Sequence, residues 1–113
     1  MQRILLVFAL SCAMTPTALA QMPNKDAISP ATIAYVKALV DMAEVINIMV
    51  PSGDSSADFV MMMTPHHQAA VEMAEAYLKY GKDPTLTRMA KNIIATQKRE
   101  LKELADWHAK HPM

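Results

Sequence analysis

From Ser29 onward the chain carries three stretches in which apolar positions recur every three or four residues, the period of a helix with one buried face. The first opens at Ser29-Pro30, a capping residue followed by proline at the first helical position. It is expected to run to about Val50, where Pro51-Ser52-Gly53 stops it. Tyr35, Leu39, Met42, Ala43, Ile46 and Met49 share one of its faces, with Lys37, Asp41 and Glu44 opposite. The second is expected to begin near Ser55, with Ser55-Ser56-Ala57-Asp58 as an approximate capping signal, and to continue to Tyr80. Gly81 then fits a left-handed stop. Asp83-Pro84 caps and opens the third, in which Leu86, Ala90, Ile93, Gln97, Leu101, Leu104 and His108 form a stripe. Arg88, Lys91, Lys98, Arg99, Lys102 and Asp106 take its far side.

No stretch alternates as a half-buried strand would, so the fold class is all-α. The short connection around Gly81 makes the second and third helices an antiparallel hairpin. Three helices bury a limited core. The N-terminal segment or a second copy in a homodimer is therefore a candidate to complete a bundle of four. Pro65 falls inside the second segment and removes a helical donor. It either bends one long helix or opens a new one after Thr64.

The N-terminus reads differently. Arg3, the apolar run Ile4 to Met14 and Ala18-Leu19-Ala20 before Gln21 have the layout of a cleavable secretory signal, residues 1–20. The run is shorter than the ~20 residues a bilayer span needs. A lipoprotein reading through Ala9-Leu10-Ser11-Cys12 starts poorly from Ala9. The expected product, residues 21–113, is a periplasmic or secreted domain with no membrane span. Its 10 basic and 11 acidic groups supply no basic excess for nucleic acid or anionic lipid. The single cysteine, Cys12, leaves with the signal, which removes disulfide and thiol chemistry.

Methionine changes this picture. Nine remain in residues 21–113, and Met61, Met62 and Met63 are consecutive. Methionine fills cores well, but three successive helical residues point about 100° apart and cannot share one core. Met62, His66 and Met73 fall on one stripe with Phe59, Ala70 and Tyr77, and Met63 and His67 on an adjoining one. Two Met/His pairs thus sit at the four-residue spacing that brings helical side chains together. Thioether sulfur with imidazole suits Cu(I) best and, with more imidazole, Cu(II). Zinc gains little from thioethers, and no clustered-oxygen loop suits calcium or magnesium. A histidine on an apolar face is also commonly a hydrogen-bonded core residue, with Gln97 as a possible partner. Trp107-His108-Ala109-Lys110-His111-Pro112-Met113 is a weaker candidate, readable as a frayed helix end.

Enzymatic motifs are missing from the sequence. There is no paired Glu-x-x-His for a dinuclear iron centre, no His-Glu-x-x-His, nucleophile elbow or phosphate loop. A non-enzymatic role is expected.

Gly53-Asp54, Asp58-Phe59, Met63-Thr64-Pro65-His66-His67-Gln68, Ala70-Val71 and Met73-Ala74 resemble the DUF305 family. The likeness continues through Leu78, Tyr80-Gly81-Lys82-Asp83-Pro84, Ala90, Ile93-Ile94, Gln97, Glu100-Leu101 and Trp107. It implies an exported, ferritin-like helical fold and, as in several members, periplasmic copper binding or resistance. Met63, His66, His67 and Met73 then stand at the family's ligand positions. Two departures are visible: the preceding helix has only Met42 and Met49 and no histidine, and Leu104 stands where many relatives have methionine.

The function expected is copper buffering, or carriage to an efflux or acceptor protein. Met62, Met63, His66, His67 and Met73 would be ligands, with Gln97 and Glu100 orienting imidazoles. The alternative is a metal-free interaction module with a methionine-rich docking face.

Overall fold

The computed structural model describes residues 28–112. The expected signal segment, residues 1–20, lies outside them, as do Met22 and Met113. Three helices follow one another: α1 (Pro30–Asn47), α2 (Ser55–Tyr80) and α3 (Pro84–Lys110). The all-α expectation holds, and none of these helices is long and apolar enough to cross a membrane.

The caps explain where each helix starts. Ser29 Oγ accepts the Thr32 N–H, with Pro30 in the first turn, and Asp83 accepts from Thr85 and Leu86 at the start of α3. At α2 the capping residue is Asp54, one position earlier than the Ser55 signal suggested. Its carboxylate takes the Ser56 and Ala57 N–H groups. Asp58 instead reaches back, accepting from the Ser52 hydroxyl and from the Ser52 and Gly53 amides. These bonds, led by the Ser52 hydroxyl, hold its carboxyl below the usual value of 3.8 and fasten the α1–α2 loop to the first turn of α2.

Two chain-breaking signals are placed differently from expectation. Helix α1 ends at Asn47 rather than Val50. The left-handed glycine is Gly53, at φ +85° in the loop after α1, whereas Gly81 is extended, at φ −77° and ψ 154°. Gly81 has a steric reason instead: a Cβ there would stand 2.3 Å from the Tyr77 ring. That ring is fixed where it is, because the Asp83 amide donates to the Tyr77 hydroxyl at 3.1 Å. Helix α2 runs unbroken through Pro65, so the long-helix reading of that proline is the right one.

Helix α2 is the centre of the arrangement. It packs against α1 on one side and α3 on the other, while no Cα of α1 comes within 8 Å of one in α3. Lys98 of α3 meets Glu75 of α2, and Glu100 meets His67. Rising numbers on one helix pair with falling numbers on the other, which makes α2 and α3 antiparallel. Among the described residues the buried apolar ones are Ala38, Ala57, Ala69, Val71, Ala74 and Ala90. Five of the six are alanine, so the helices approach closely over small side chains and the larger ones lie along the edges of the seams.

The face that α1 turns to α2 centres on buried Ala38, with Ala31, Ala34, Tyr35, Met42 and Met49 half-buried. This is a rotation of the expected face: Leu39 and Ala43 are exposed, and Asp41 is half-buried. Helix α1 is apolar almost all round, so its periodicity marks no single face strongly.

Two predictions follow from these loops. Gly81→Ala displaces the Tyr77 ring and destabilises the chain by ~1–3 kcal/mol, the scale of overpacking. Most of that loss vanishes when the same change is made in Tyr77→Ala, a non-additivity that chemical denaturation measures directly. The lowered Asp58 carboxyl contributes stability that is present above its unfolded value and is lost as pH falls through its folded one. Asp58→Asn is therefore less stable at neutral pH. Its thermal midpoint also drops less than the wild type's on acidification through and below 3.8.

Candidate metal-binding faces of helix α2

Because consecutive residues on α2 are turned by about 100°, Met61, Met62 and Met63 enter three different surroundings. Each has a histidine in its neighbourhood.

Met63 and His67 face α3. His67 is buried, at 9% exposure. Its Nδ1–H donates to the Met63 carbonyl at 2.9 Å, the acceptor one helical turn back. Its Nε2 lies 2.8 Å from Glu100 Oε2 on α3. A main-chain carbonyl can only accept, so Nδ1 carries a proton. Nε2 then either donates to ionised Glu100 or accepts from a protonated carboxyl. Met63, His67, Glu100, Glu103, Phe59 and Trp107 line a groove of about 760 Å³ between the two helices. Glu103 was not singled out in the sequence, and Trp107 only in the terminal run and the family likeness. They follow Glu100 by three and seven positions, a helical spacing that places them on its face.

Met62, His66 and Met73 occupy another side of α2. Met62 is 40% exposed, His66 is exposed and Met73 is half-buried. The five expected ligands are thus divided between two faces. Met63 and His67 turn toward α3, and the stripe of Met62, His66 and Met73 lies beside the α3 seam. Helical geometry causes the division, since His66 and His67 diverge as adjacent residues must.

Met61 enters the third setting. It lies half-buried in a groove of about 550 Å³ flanked by α1 and α3, shared with Met42 and Met49 of α1 and His108 of α3. Val60, Leu101 and Leu104 supply apolar wall, and Gln68 and Glu72 also line it. Gln68 and Glu72 are the polar neighbours of Met61 on the same face of α2. Helix α1 lies over that face and makes it an interface.

Gln97 does not orient either imidazole. His67 is held by Glu100, and Gln97 Oε1 is buried with no hydrogen-bond partner. At the end of α3, the His111 ring stacks on Trp107 with centroids 4.2 Å apart, and its Nδ1 donates to the Trp107 carbonyl at 2.8 Å. His111 therefore closes the helix end, and His108 alone of the terminal pair reaches a methionine-lined groove.

Among the described residues no group of three or more His, Cys, Asp or Glu side chains is placed to hold a metal. An ion bound at any of these faces would complete its coordination with thioether sulfur, main-chain oxygen or solvent. Residues 56–112, which take in α3 and all but the first residue of α2, match the family described as "Domain of unknown function (DUF305)". The chain belongs to the DUF305 family. The match begins after α1, so the hairpin that carries Met61 to Met63, His66, His67 and Glu100 is the part this DUF305 chain shares with the family signature. No curated protein matches the chain.

The unpartnered Gln97 oxygen generates a stability prediction. A buried acceptor left without a donor costs ~1–3 kcal/mol, so Gln97→Met raises the thermal midpoint of the metal-free protein. Differential scanning calorimetry checks it. A fall would mean that the amide makes a bond the native protein depends on.

Proposed function

We propose that this DUF305 protein binds copper, as a buffer or a carrier, through methionine and histidine side chains on α2 and its neighbours. The observation that carries the reading is the setting of His67. Its Nδ1–H is tied to the Met63 carbonyl, which fixes the ring orientation and leaves Nε2 directed into a groove that Met63 also lines. A backbone acceptor on one imidazole nitrogen, with the other nitrogen left for the metal, is the usual way a metal-ligating histidine is held. Glu100 stands on Nε2 in the metal-free chain and would have to move aside or share the ion.

Sulfur and imidazole together favour Cu(I) over harder ions. A thioether carries no proton to lose, so acid weakens such a site through its imidazole alone. That chemistry suits an exported protein, the location that the N-terminal sequence suggests. The separation of the three Met/His neighbourhoods supports buffering by several modest sites over one tight one. The five residues Met62, Met63, His66, His67 and Met73 would then serve as two partial donor sets. Met61, Met42, Met49 and His108 offer a third.

The second reading, a metal-free docking module, draws support from the apolar walls of the groove that Met61 enters. Methionine-rich apolar grooves adapt readily to partner helices.

Competition with a Cu(I)-selective chelator separates the two. The wild type is expected to withdraw Cu(I) from the chelator. His67→Ala and Met63→Leu should each lower the affinity of the tightest site by ~10–100-fold, the scale seen when metal-site support is removed. His66→Ala with Met62→Leu should leave that affinity in place and reduce the number of ions bound. A wild type that takes no Cu(I) leaves the docking reading in front. Unchanged binding in both His67→Ala and Met63→Leu would sink the assignment of the α2–α3 groove.

A further inference from the structure

Helix α1 has a second apolar face that nothing in the chain's described residues covers. Ile33, Val36, Val40, Ala43 and Asn47 recur at alternating spacings of three and four, the a/d seam of a coiled coil. The stripe lies opposite Ala38, the residue buried against α2. Ile33 is 60% exposed, Val36 54% and Val40 48%. Leu39, 45% exposed, widens one edge of this stripe, and Lys37 and Glu44 mark the other.

A helix that is apolar all round belongs in an interior, yet among the described residues α1 packs only against α2. Its length and hydropathy do not suit a membrane span. Its charges are Lys37, Asp41 and Glu44, without the Lys/Arg-rich polar face of a helix that lies on a bilayer.

We infer that the α1 stripe is the seam of a homodimer, in which α1 packs antiparallel against α1 of a second copy. The edge charges single out a second copy as the occupant. Lys37, whose exposed ammonium pairs with Asp41 one turn along the same helix, and Glu44 stand one heptad apart on the same edge of the seam. In an antiparallel pair like edges meet, so Lys37 of each copy lies beside Glu44 of the other, and the two-fold axis makes the pairing twice. Ile33, Val36, Val40 and Ala43 interleave with their own counterparts. Valine and alanine along the seam allow the close approach that the alanines already give α2 and its neighbours. The proposal does not depend on copper, because the stripe contains none of the sulfur or imidazole donors.

Sedimentation velocity on the purified protein in a metal chelator tests it. At about 50 µM, well above a micromolar dissociation constant, the expected mass is twice that of the chain. Val36→Glu with Val40→Glu should give the monomer mass with unchanged far-ultraviolet circular dichroism, since both side chains point away from α2. Lys37→Glu should weaken self-association, and Lys37→Glu combined with Glu44→Lys should restore it. That rescue is a readout general stickiness would not produce. A monomeric wild type would overturn the proposal, whether the stripe is then covered by residues before Ile28 or by another protein. So would a dimer that survives Val36→Glu with Val40→Glu, or one indifferent to the charge reversal. A chain that sediments alone but floats with anionic vesicles would place a membrane surface on α1 and refute the dimer.

Discussion

Close contact over alanine is the constraint on which the rest of this molecule depends. Helix α2 must serve two neighbours at once, and it does so by presenting small residues to both: Ala57, Ala69 and Ala74 are buried along it, and Ala38 and Ala90 are the buried residues of α1 and α3. Small contacts bring helix axes near, but each alanine removes little apolar area from water, and area is what stabilises. Among the described residues no large side chain is fully buried. Larger groups are pushed to the edges of the two seams, and the grooves there are lined with methionine, leucine, tryptophan and histidine. The candidate faces are thus a direct product of how the helices pack.

The same geometry explains why polar groups can stand so near the seam. His67 is buried, yet both its ring nitrogens are engaged, one by a carbonyl of its own helix and one by Glu100 across the seam. A satisfied buried imidazole costs far less than an orphaned one, and it links α2 to α3 at a defined register. Glu75 and Lys98 link the same two helices farther toward the hairpin loop. That pair is about half exposed, and solvent screening leaves it little energetic weight. The imidazole is therefore the more informative connection. It is also the group on which the proposed copper site rests, so fold register and that proposal share a side chain.

Much of this was legible along the chain. Ser29-Pro30 and Asp83-Pro84 marked two helix starts because capping and the fixed φ of proline act within a few residues. The period of three and four gave three helices, and the spacing of Met61 to Met63 already required them to part company. Less legible were the positions that depend on contacts across elements. Gly81 resembled a left-handed stop, but its lack of a side chain answers to the Tyr77 ring packed above it. The interfacial place of Met61 was not legible either, because sequence gives the neighbours on its own helix and not the helix lying over it. Gln97 and Glu100 were equal candidates to hold an imidazole, and a difference of three residues in register decided for Glu100.

By itself, then, the sequence determined what local rules control: helix number, two of the three caps, the turning apart of adjacent methionines, and membership in a family through the motif around Pro65. Tertiary structure decided which donors share a groove: Met63 with His67 and Glu100, and Met61 with Met42, Met49 and His108. The physical reason is that periodicity fixes the angle of each side chain about its own axis, to within one turn of helix. What stands opposite is set by the register and closeness of a second helix, and here those follow from alanines whose small size gives no strong signal along the chain.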